Sequence, residues 1–406
     1  MKRRILFVDD EPVILDVIRR QLAQRLNPDL YEVLFAPSGP EALAIMEQQP
    51  VDLIIADIRM PQMDGFALLT IVMEKYPQTA RFVLSGLSDR DLVKQSLVST
   101  HQFLPKPCSE GVLVHAIRRT CELRNILQKD ELARAVAQIK ALPSMPGLLS
   151  RVMQELKSND ASMQQIGEII ARDVGMSTKV LQLVNSSFFG LSRKVDSPAH
   201  AVALLGLEMV KAIMLMTQAF AQTNMPSAKG FSMGRLWQHS LLSAQCAMAI
   251  AKKSCPDKKS TDEAFMGGML HDVGKLILAV NQSQTFEAIL ALMTKEGITM
   301  IEAERRILHA THGELGGYLL GLWGFSEPVI EACIFHFRPS ETSCEKFGSL
   351  AAVHVATAMV NRFQPERGNP HAADLDMDFL QRLQMESRVS EWETICRGIC
   401  QQKDSV

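Results

Sequence analysis

The stretch VDLIIADIRMPQMDG, residues 51–65, decides the fold of the first part of the chain. Its run Leu53-Ile54-Ile55-Ala56 is short and wholly apolar, which is typical of a strand buried on both faces of a parallel sheet. Asp57 follows at the carboxyl end of this run, where ligands collect in open α/β sheets. We therefore predict an α/β fold in which Asp57 takes part in chemistry.

Three further apolar runs predict strands that also end in polar residues. They are Ile5–Val8 before Asp9 and Asp10, Arg81–Leu84 before Ser85, and a weaker run, Gln102–Leu104, before Lys106. Because the carboxyl ends of parallel strands meet at one edge of a sheet, we expect these polar groups to converge with Asp57.

This set of side chains suits phosphoryl transfer to a carboxylate. Clustered carboxylates are hard oxygen ligands for Mg²⁺, which neutralises an incoming phosphoryl group, while a lysine and a hydroxyl take its remaining oxygens. Taken singly, a strand-end Asp or Ser also serves as a helix cap, and a lysine before proline as a solvated charge. The coincidence of the whole set favours a phosphoryl-acceptor site.

With these residues in place, residues 1–122 resemble the receiver domain of two-component response regulators. The resemblance implies a flavodoxin-like α/β fold with a doubly wound, parallel, five-stranded sheet. It implies that Asp57 is the phospho-acceptor and becomes an aspartyl phosphate. It also implies a set of ligands for Mg²⁺: Asp9, Asp10, Asp57 and the backbone carbonyl of Arg59.

The same resemblance implies a phosphoryl-binding switch. Ser85 is expected to hydrogen-bond the phosphoryl oxygens, and Lys106 to pair with them. Phe103 is expected to be the aromatic residue whose burial changes when Ser85 moves.

Composition limits the classes of function. The chain has 406 residues, 43 basic and 45 acidic, and a net charge of −2, so we expect no direct DNA binding and no attraction to anionic membranes. Eight scattered cysteines predict reduced thiols. The N-terminal MKRRILFVDD lacks a secretory apolar region, and no segment offers the roughly 20 uncharged apolar residues of a membrane span. We expect a cytoplasmic protein of two or three domains.

After Pro107 the pattern changes from strands to helices. A helix that begins near Ser109 is expected to continue to about Leu142, so that residues 123–141 form a helical linker. Its apolar positions leave a homodimer contact open. The proline-containing segment LPSMPG, residues 142–147, ends this helix, and beyond it helical periodicity dominates.

Three motifs in this second part occur in a distinctive order. They are LPSMP at residues 142–146, VNSSFFG at 184–190 and AVALLG at 201–206. This order resembles the HDOD domain, an all-helical relative of the HD phosphohydrolases. The resemblance implies an all-α HDOD domain over residues 142–345, with a C-terminal helical extension over residues 346–406.

A His-Asp pair lies in the apolar segment MGGMLHDVGKLIL, residues 266–278. We expect His271 and Asp272 to lie inside a helix, where an uncompensated charge costs several kcal/mol and a metal would offset that cost. In HD phosphohydrolases such a pair holds metal together with further histidines. The resemblance matches His239, His271 and Asp272 to a first metal site, His312 and His336 to part of a second, and Lys275 to a substrate-phosphate lysine.

Two departures weaken this match. HD phosphohydrolases carry a further aspartate ligand late in the sequence, and Thr357 occupies that position here. Their two-metal relatives carry a further histidine directly after the one matched by His336, and Phe337 occupies that position, so each site lacks a ligand. Losing one ligand weakens a metal site, although water can fill the position. We therefore expect a degenerate site inherited with the fold. A working site for Fe, Mn or another divalent metal remains the alternative.

Two functions follow from these patterns. In the first, the chain is a bacterial response regulator in which a sensor histidine kinase phosphorylates Asp57 with Mg²⁺. The HDOD domain then acts by interaction with an unidentified downstream signalling protein, without catalysis. In the alternative, the chain is a phosphorylation-gated metallophosphohydrolase or cyclic dinucleotide phosphodiesterase that uses His239, His271 and Asp272.

Overall fold

The computed structural model divides the chain into two compact units. They are Met1–Asn159 with Gly321–Gly324, and Asp160–Leu320 with Phe325–Val406. Within them the structure describes residues 2–76, 78–85, 100–106, 108, 110–126, 152, 162–171, 176–177, 180–181, 195, 197–207, 209–214, 228–255, 257–364 and 375–401. The motifs LPSMP and VNSSFFG lie outside these residues, as does the predicted linker beyond Ile126.

The first unit is built on a five-stranded parallel sheet with strand order β2-β1-β3-β4-β5. Its strands are β1 (Arg3–Val8), β2 (Tyr31–Ala36), β3 (Leu53–Asp57), β4 (Ala80–Ser85) and β5 (Gln102–Pro105). The strand order reverses at β1 and β3, and the crevice beyond their carboxyl ends is where such sheets bind ligands. The predicted doubly wound sheet is confirmed, and Asp57 is the last residue of its middle strand.

Helices pack against this sheet and explain why the first four residues of β3 are apolar. The described helices are α1 (Pro12–Ala23), α2 (Gly39–Gln48), α3 (Gly65–Lys75) and α4 (Glu110–Ile126). Leu53, Ile54, Ile55 and Ala56 have no exposed surface. Their burial on both faces is the feature of a central parallel strand that the apolar run predicted.

The described residues of the second unit form helices and turns and contain no strand, as the sequence predicted. Its longer helices are α5 (Met163–Ala171), α6 (Pro198–Leu205), α7 (Met233–Ser254), α8 (Lys258–Leu270), α9 (Val273–Asn281), α10 (Ser283–Glu296), α11 (Met300–Leu308), α12 (His312–Leu322), α13 (Glu327–Phe335), α14 (Ser349–Phe363), α15 (Met377–Arg382) and α16 (Val389–Gln401). Short 3₁₀ turns lie at Pro339–Glu341 and Glu386–Arg388.

The C-terminal helices belong to the core of this unit. Helix α16 packs on α7 and α14, and Trp392, Cys396 and Cys400 on α16 are almost completely buried. The indole N–H of Trp392 donates a hydrogen bond to Ser254 Oγ at 3.1 Å. The C-terminal segment thus completes the hydrophobic core that α7, α8 and α14 begin.

None of the described helices is by itself both long enough and apolar enough to cross a membrane. The segments Lys258–Asn281 and Ser283–Glu296 pass that test only as a pair, and they bend by 115° at the break between them.

The close approach of α3 to the end of β3 leads to a prediction about Gly65. A Cβ atom at Gly65 would overlap the backbone carbonyl of Asp57, a rigid neighbour that cannot rotate away. We expect Gly65→Ala to displace Asp57 and to lower the free energy of unfolding by about 1–3 kcal/mol, as overpacking does. Thermal unfolding of the full chain would measure this loss. Gly111→Ala is the control, because a Cβ there meets no atom within 4 Å; equal stability of the two variants would contradict the prediction.

The burial of Trp392 leads to a second prediction. We expect Trp392→Ala to reduce the free energy of unfolding by about 3–5 kcal/mol, because it leaves a large cavity between α16 and α7. Urea unfolding followed by circular dichroism measures the loss. Thr394→Ala on the exposed face of α16 serves as the control and should change stability by about 0.5 kcal/mol or less. A similar small effect at both positions would show that α16 is not part of the core.

Candidate functional site

A lysine joins two buried aspartates at the carboxyl edge of the sheet. Lys106 Nζ lies 2.7 Å from Asp57 Oδ1 and 2.8 Å from Asp9 Oδ2. Asp9 and Asp57 are 1% and 7% exposed, so these ion pairs are largely shielded from water. Asp10 is half-buried, and one carboxylate oxygen from each of Asp9, Asp10 and Asp57 lies within 4.8 Å of the others.

The burial of this cluster changes its acid–base properties. Burial raises the pKa of Asp57, and the hydrogen bonds from Lys106 and from the Ile58 N–H oppose that rise without cancelling it. Burial alone would lower the pKa of Lys106, but its hydrogen bonds to Asp57 and Asp9 outweigh burial and raise the pKa. Lys106 therefore keeps the positive charge that balances the two carboxylates.

The donor set at this edge fits Mg²⁺, because that ion prefers oxygen ligands and three carboxylates are within reach of one another. Arg59 lies two residues after β3, and its backbone carbonyl stays a predicted ligand. Ser85 ends β4 and Phe103 lies in β5. The side chains of Ser85 and Phe103 lie outside the described part of the structure, so their switch roles stay predictions.

A second cluster lies in the helical unit, around a cavity of about 210 Å³. The structure brings together all five residues that the sequence matched to a metal centre, and each is at most 6% exposed. They are His239, His271, Asp272, His312 and His336.

The carboxylate of Asp272 stands between the histidines. Its Oδ2 lies 3.4 Å from His271 Nε2 and 3.9 Å from His239 Nε2, whereas its Oδ1 lies 3.2 Å from His312 Nε2. Ligand atoms of His239, His271 and Asp272 fall within 4.8 Å of one another, and so do those of Asp272, His312 and His336. Asp272 is thus shared by two groups of three.

The prediction that His271 and Asp272 lie inside a helix is wrong. Helix α8 ends at Leu270 and α9 begins at Val273, so the pair occupies the break between them. Gly274 lets the start of α9 approach α12, because a Cβ there would overlap the carbonyl oxygen of His312. The contact lies beside the pair, where Asp272 Oδ1 lies 3.2 Å from His312 Nε2.

A capping box fixes the start of α12 at His312. The Glu314 N–H donates to Thr311 Oγ1 at 3.2 Å, and the Thr311 N–H donates to Glu314 Oε2 at 2.8 Å. His336 directly follows the end of α13, and His239 lies in the first half of α7. Helix ends and one helix face therefore supply the histidines of the cluster.

Hydrogen bonds fix which ring nitrogen of three histidines faces the cavity. His271 Nδ1–H donates to the Gly268 carbonyl at 2.8 Å, and His336 Nδ1–H donates to the Cys333 carbonyl at 3.0 Å. His312 Nδ1–H donates to the carboxylate of Glu304 at 2.9 Å. Since a carbonyl or carboxylate oxygen accepts only, the proton is on Nδ1 in each case and Nε2 is directed to the centre.

The cluster leaves buried polar atoms without hydrogen bonds. His239 Nδ1, Asp272 Oδ1 and His312 Nε2 are buried, and none of them makes an aligned hydrogen bond. Such atoms cost free energy unless something binds them. Converging imidazole nitrogens and a carboxylate are ligands that transition metals prefer, so the residues present fit a divalent metal.

Burial controls the charge of this cluster. It lowers the pKa of His239 to about 3, and it holds the pKa of His336 well below the ordinary value, so both rings are neutral at pH 7. For Asp272 burial acts to raise the pKa, but the neighbouring His271 and Lys275 outweigh it and hold the pKa well below the usual range. Asp272 is therefore ionised.

Lys275 provides a direct counter-charge to Asp272. Lys275 lies in the first turn of α9, three residues after Asp272, and its Nζ is 2.7 Å from Asp272 Oδ2. Lys275 also lines the cavity. The expected role of Lys275 toward a substrate phosphate would require it to exchange this ion pair for the substrate.

The positions at which the sequence departs from an HD centre are occupied by groups with other partners. The Thr357 hydroxyl donates to the carbonyls of Val353 and His354. His354 uses both ring nitrogens: Nδ1–H donates to the His336 carbonyl at 2.7 Å, and Nε2 accepts from the Asp376 N–H at 2.9 Å. His354 therefore does not replace the missing aspartate ligand.

Glu304, which contacts the ring of His312, is a site residue that the sequence patterns did not indicate. Glu304 is completely buried on α11, on the helix face that also buries Met300 and Leu308. A charged residue at a core position of an amphipathic helix could have indicated a buried partner, since charged side chains are rarely buried unless they are paired. Its partner lies eight residues away across a helix break, which periodicity alone does not reveal.

Comparison with known proteins gives two family matches. Residues 5–118 match the response regulator receiver domain, and residues 142–339 match the HDOD domain. An uncharacterized protein of Treponema pallidum is 24% identical over 226 residues, which are 54% of this chain and 43% of that protein. The hydrogenase transcriptional regulatory protein HoxA of Cupriavidus necator is 30% identical over 156 residues, which are 38% of this chain and 30% of HoxA. The chain thus spans less than half the length of either relative.

Among solved structures, an HDOD domain protein with unknown function from Geobacter sulfurreducens superposes with a TM-score of 0.51 at 19% identity. The match covers 67% of this chain and 99% of that one, and at this identity it supports the fold. The chain therefore carries a response regulator receiver domain at residues 5–118 followed by an HDOD domain at residues 142–339, a combination that fits a two-component response regulator.

Proposed function

We propose that Asp57 accepts a phosphoryl group from a sensor histidine kinase and that this modification switches the HDOD domain. The observation that supports it best is the contact of Lys106 with both Asp9 and Asp57 at the carboxyl edge of the sheet. A lysine held there keeps a buried carboxylate ionised and therefore nucleophilic. It also provides a cation for the oxygens of an incoming phosphoryl group.

The transfer itself is a displacement at phosphorus. A carboxylate oxygen of Asp57 attacks, so that a P–O bond forms while the P–N bond to the kinase histidine breaks. Asp9, Asp10, Asp57 and the Arg59 carbonyl would hold Mg²⁺, which would supply positive charge for the phosphoryl oxygens. Lys106 exchanges its ion pair with Asp57 for an ion pair with the new phosphoryl group. Ser85 moves to hydrogen-bond the phosphoryl oxygens, and the burial of Phe103 changes as Ser85 moves.

The HDOD domain is proposed to respond by binding a downstream signalling protein. Two features of the described cluster support a binding role over catalysis. Lys275 already neutralises part of the charge of Asp272, and Thr357 and Phe337 stand where HD hydrolases carry ligands. Phosphorylation adds charge and hydrogen-bond acceptors to the receiver, which is a common way to shift a conformational equilibrium.

One observation favours the alternative, a metal-dependent phosphohydrolase or cyclic dinucleotide phosphodiesterase gated by Asp57. The buried atoms Asp272 Oδ1 and His312 Nε2, which make no aligned hydrogen bond, are those that a cation at this centre would satisfy directly. The proposed metal, Fe, Mn or another divalent ion, would act there as a Lewis acid. His239, His271 and Asp272 would hold one ion, and His312 and His336, which share Asp272 with that group, would hold a second.

Phosphoryl acceptance at Asp57 can be tested directly. With acetyl phosphate or beryllofluoride and Mg²⁺, we expect the wild-type chain to be modified or perturbed and Asp57→Ala to be inert, because the substitution removes the carboxylate that contacts Lys106 from the end of β3. Intact-protein mass spectrometry and fluorescence measure the two responses. Asp16→Asn is a matched control, since Asp16 is exposed and pairs with Arg19 on α1. An equal response in the wild type and in Asp57→Ala would refute the receiver assignment.

The metal alternative can be tested by restoring a missing ligand. Thr357 lines the cavity and is 5% exposed, so a carboxylate there would face the histidines. We expect Thr357→Asp to tighten Mn²⁺ binding by about tenfold or more, because a ligand is gained. Titration of free Mn²⁺ by electron paramagnetic resonance measures the change. Thr357→Asn, equal in size but uncharged, should gain much less. A folded Thr357→Asp chain with no gain would argue against a metal centre of the HD kind.

A further inference from the structure

Glu304 is a fully buried carboxylate with an unusual set of partners. It has no exposed surface, and within the described part of the structure every polar group that contacts it belongs to His312. Both carboxylate oxygens lie 2.9 Å from His312 Nδ1, and Oε2 also accepts the backbone N–H of His312 at 3.1 Å. One side chain thus holds both the ring and the backbone of this histidine.

This contact determines the orientation of the imidazole. Because a carboxylate accepts and does not donate, it requires the proton of His312 to be on Nδ1. The opposite nitrogen, Nε2, then faces Asp272 Oδ1 at 3.2 Å on the cavity side. Nε2 also faces a carboxylate, but its contact with Asp272 Oδ1 is not an aligned hydrogen bond, whereas both oxygens of Glu304 lie 2.9 Å from Nδ1, so the geometry favours the proton on Nδ1.

The other histidines of the cluster are held in a different way. His271 and His336 donate to the backbone carbonyls of Gly268 and Cys333, which are neutral acceptors that no side-chain substitution removes. A charged acceptor polarises the imidazole more strongly and makes the opposite nitrogen a better donor to a cation. Among the described histidines of the cavity, His312 is the one whose ligand strength depends on a replaceable side chain.

We propose that Glu304 is a positioning residue that sets the tautomer and the ligand strength of His312 for a divalent cation bound between His312, Asp272 and His336. This inference rests on the metal-binding function proposed above. Glu304 itself does not touch the cation. It acts through the ring of His312, and the short connection between α11 and α12 keeps the two residues close to each other.

The test compares Glu304→Gln and Glu304→Ala with the wild type in the full chain, with Mn²⁺ alone as the probe. We expect binding to weaken by about tenfold for Gln, which still accepts the Nδ1 proton but carries no charge, and by about a hundredfold for Ala. Glu314→Gln is the matched control. It removes a neighbouring buried carboxylate and its ion pair with the partly exposed Arg305. Gln can still accept the Thr311 N–H of the capping box, and residue 314 does not contact the ring of His312, so Mn²⁺ affinity should stay at the wild-type value.

A second readout does not depend on the metal. In the cation-free chain labelled with ¹⁵N-histidine, long-range ¹H–¹⁵N correlation spectra report which ring nitrogen carries the proton. We expect His312 to be protonated at Nδ1 in the wild type and to lose this preference in Glu304→Ala. A proton found only on Nε2 in the wild type would overturn the inference.

The outcomes separate this inference from the function on which it rests. If the wild type binds Mn²⁺ and Glu304→Ala binds it equally well, the metal site stands and the role of Glu304 is refuted. If the folded wild type binds no Mn²⁺, both the metal site and the role of Glu304 in it are overturned. Graded weakening from wild type to Gln to Ala, with Glu314→Gln unchanged, supports both.

Discussion

A carboxylate that is removed from water must be matched by positive charge or by hydrogen-bond donors, and both units of this chain are arranged around that requirement. In the receiver unit the buried pair Asp9 and Asp57 is matched by Lys106, which reaches them from the end of β5. In the helical unit Asp272 is matched by Lys275 and is surrounded by imidazoles. Within each unit, the elements that carry these residues must pack together, because otherwise the buried carboxylate would lack the partner that offsets its desolvation.

The same requirement gives the two units different chemistry, because the groups around each carboxylate differ. Oxygen atoms crowd the receiver site, which favours a hard cation and a phosphoryl group. Nitrogen atoms crowd the helical site, which favours a softer divalent metal. Both sites form where secondary-structure elements end, at strand ends in the first unit and at the breaks before α9 and α12 in the second. The backbone is least constrained by its own hydrogen-bond ladder at those places, so polar side chains can turn inward.

Much of the receiver unit could be predicted because its signals are local. The apolar run before Asp57 specified a buried strand by itself, and parallel topology then brought the polar strand ends together. The helical unit was predictable as helical, but its site was harder. The break at His271 lies next to Gly274, which closely approaches the backbone of His312, 38 residues away in sequence. The role of Glu304 was not predictable for a related reason. Its contact with His312 forms across the turn between α11 and α12, and the spacing of apolar residues does not reveal such a turn.

The C-terminal helices have a consequence for how this protein is divided into parts. The HDOD match ends at residue 339, whereas the hydrophobic core continues through α14 to Trp392, Cys396 and Cys400 on α16. Asp376, just before α15, also holds His354, which in turn holds the backbone of His336 at the cavity. The folded core of this unit therefore extends beyond the residues that match the HDOD family. A chain cut at residue 339 would lack the helices that complete the hydrophobic core. It would also lack His354 and Asp376, whose hydrogen bonds hold the backbone of His336 at the cavity.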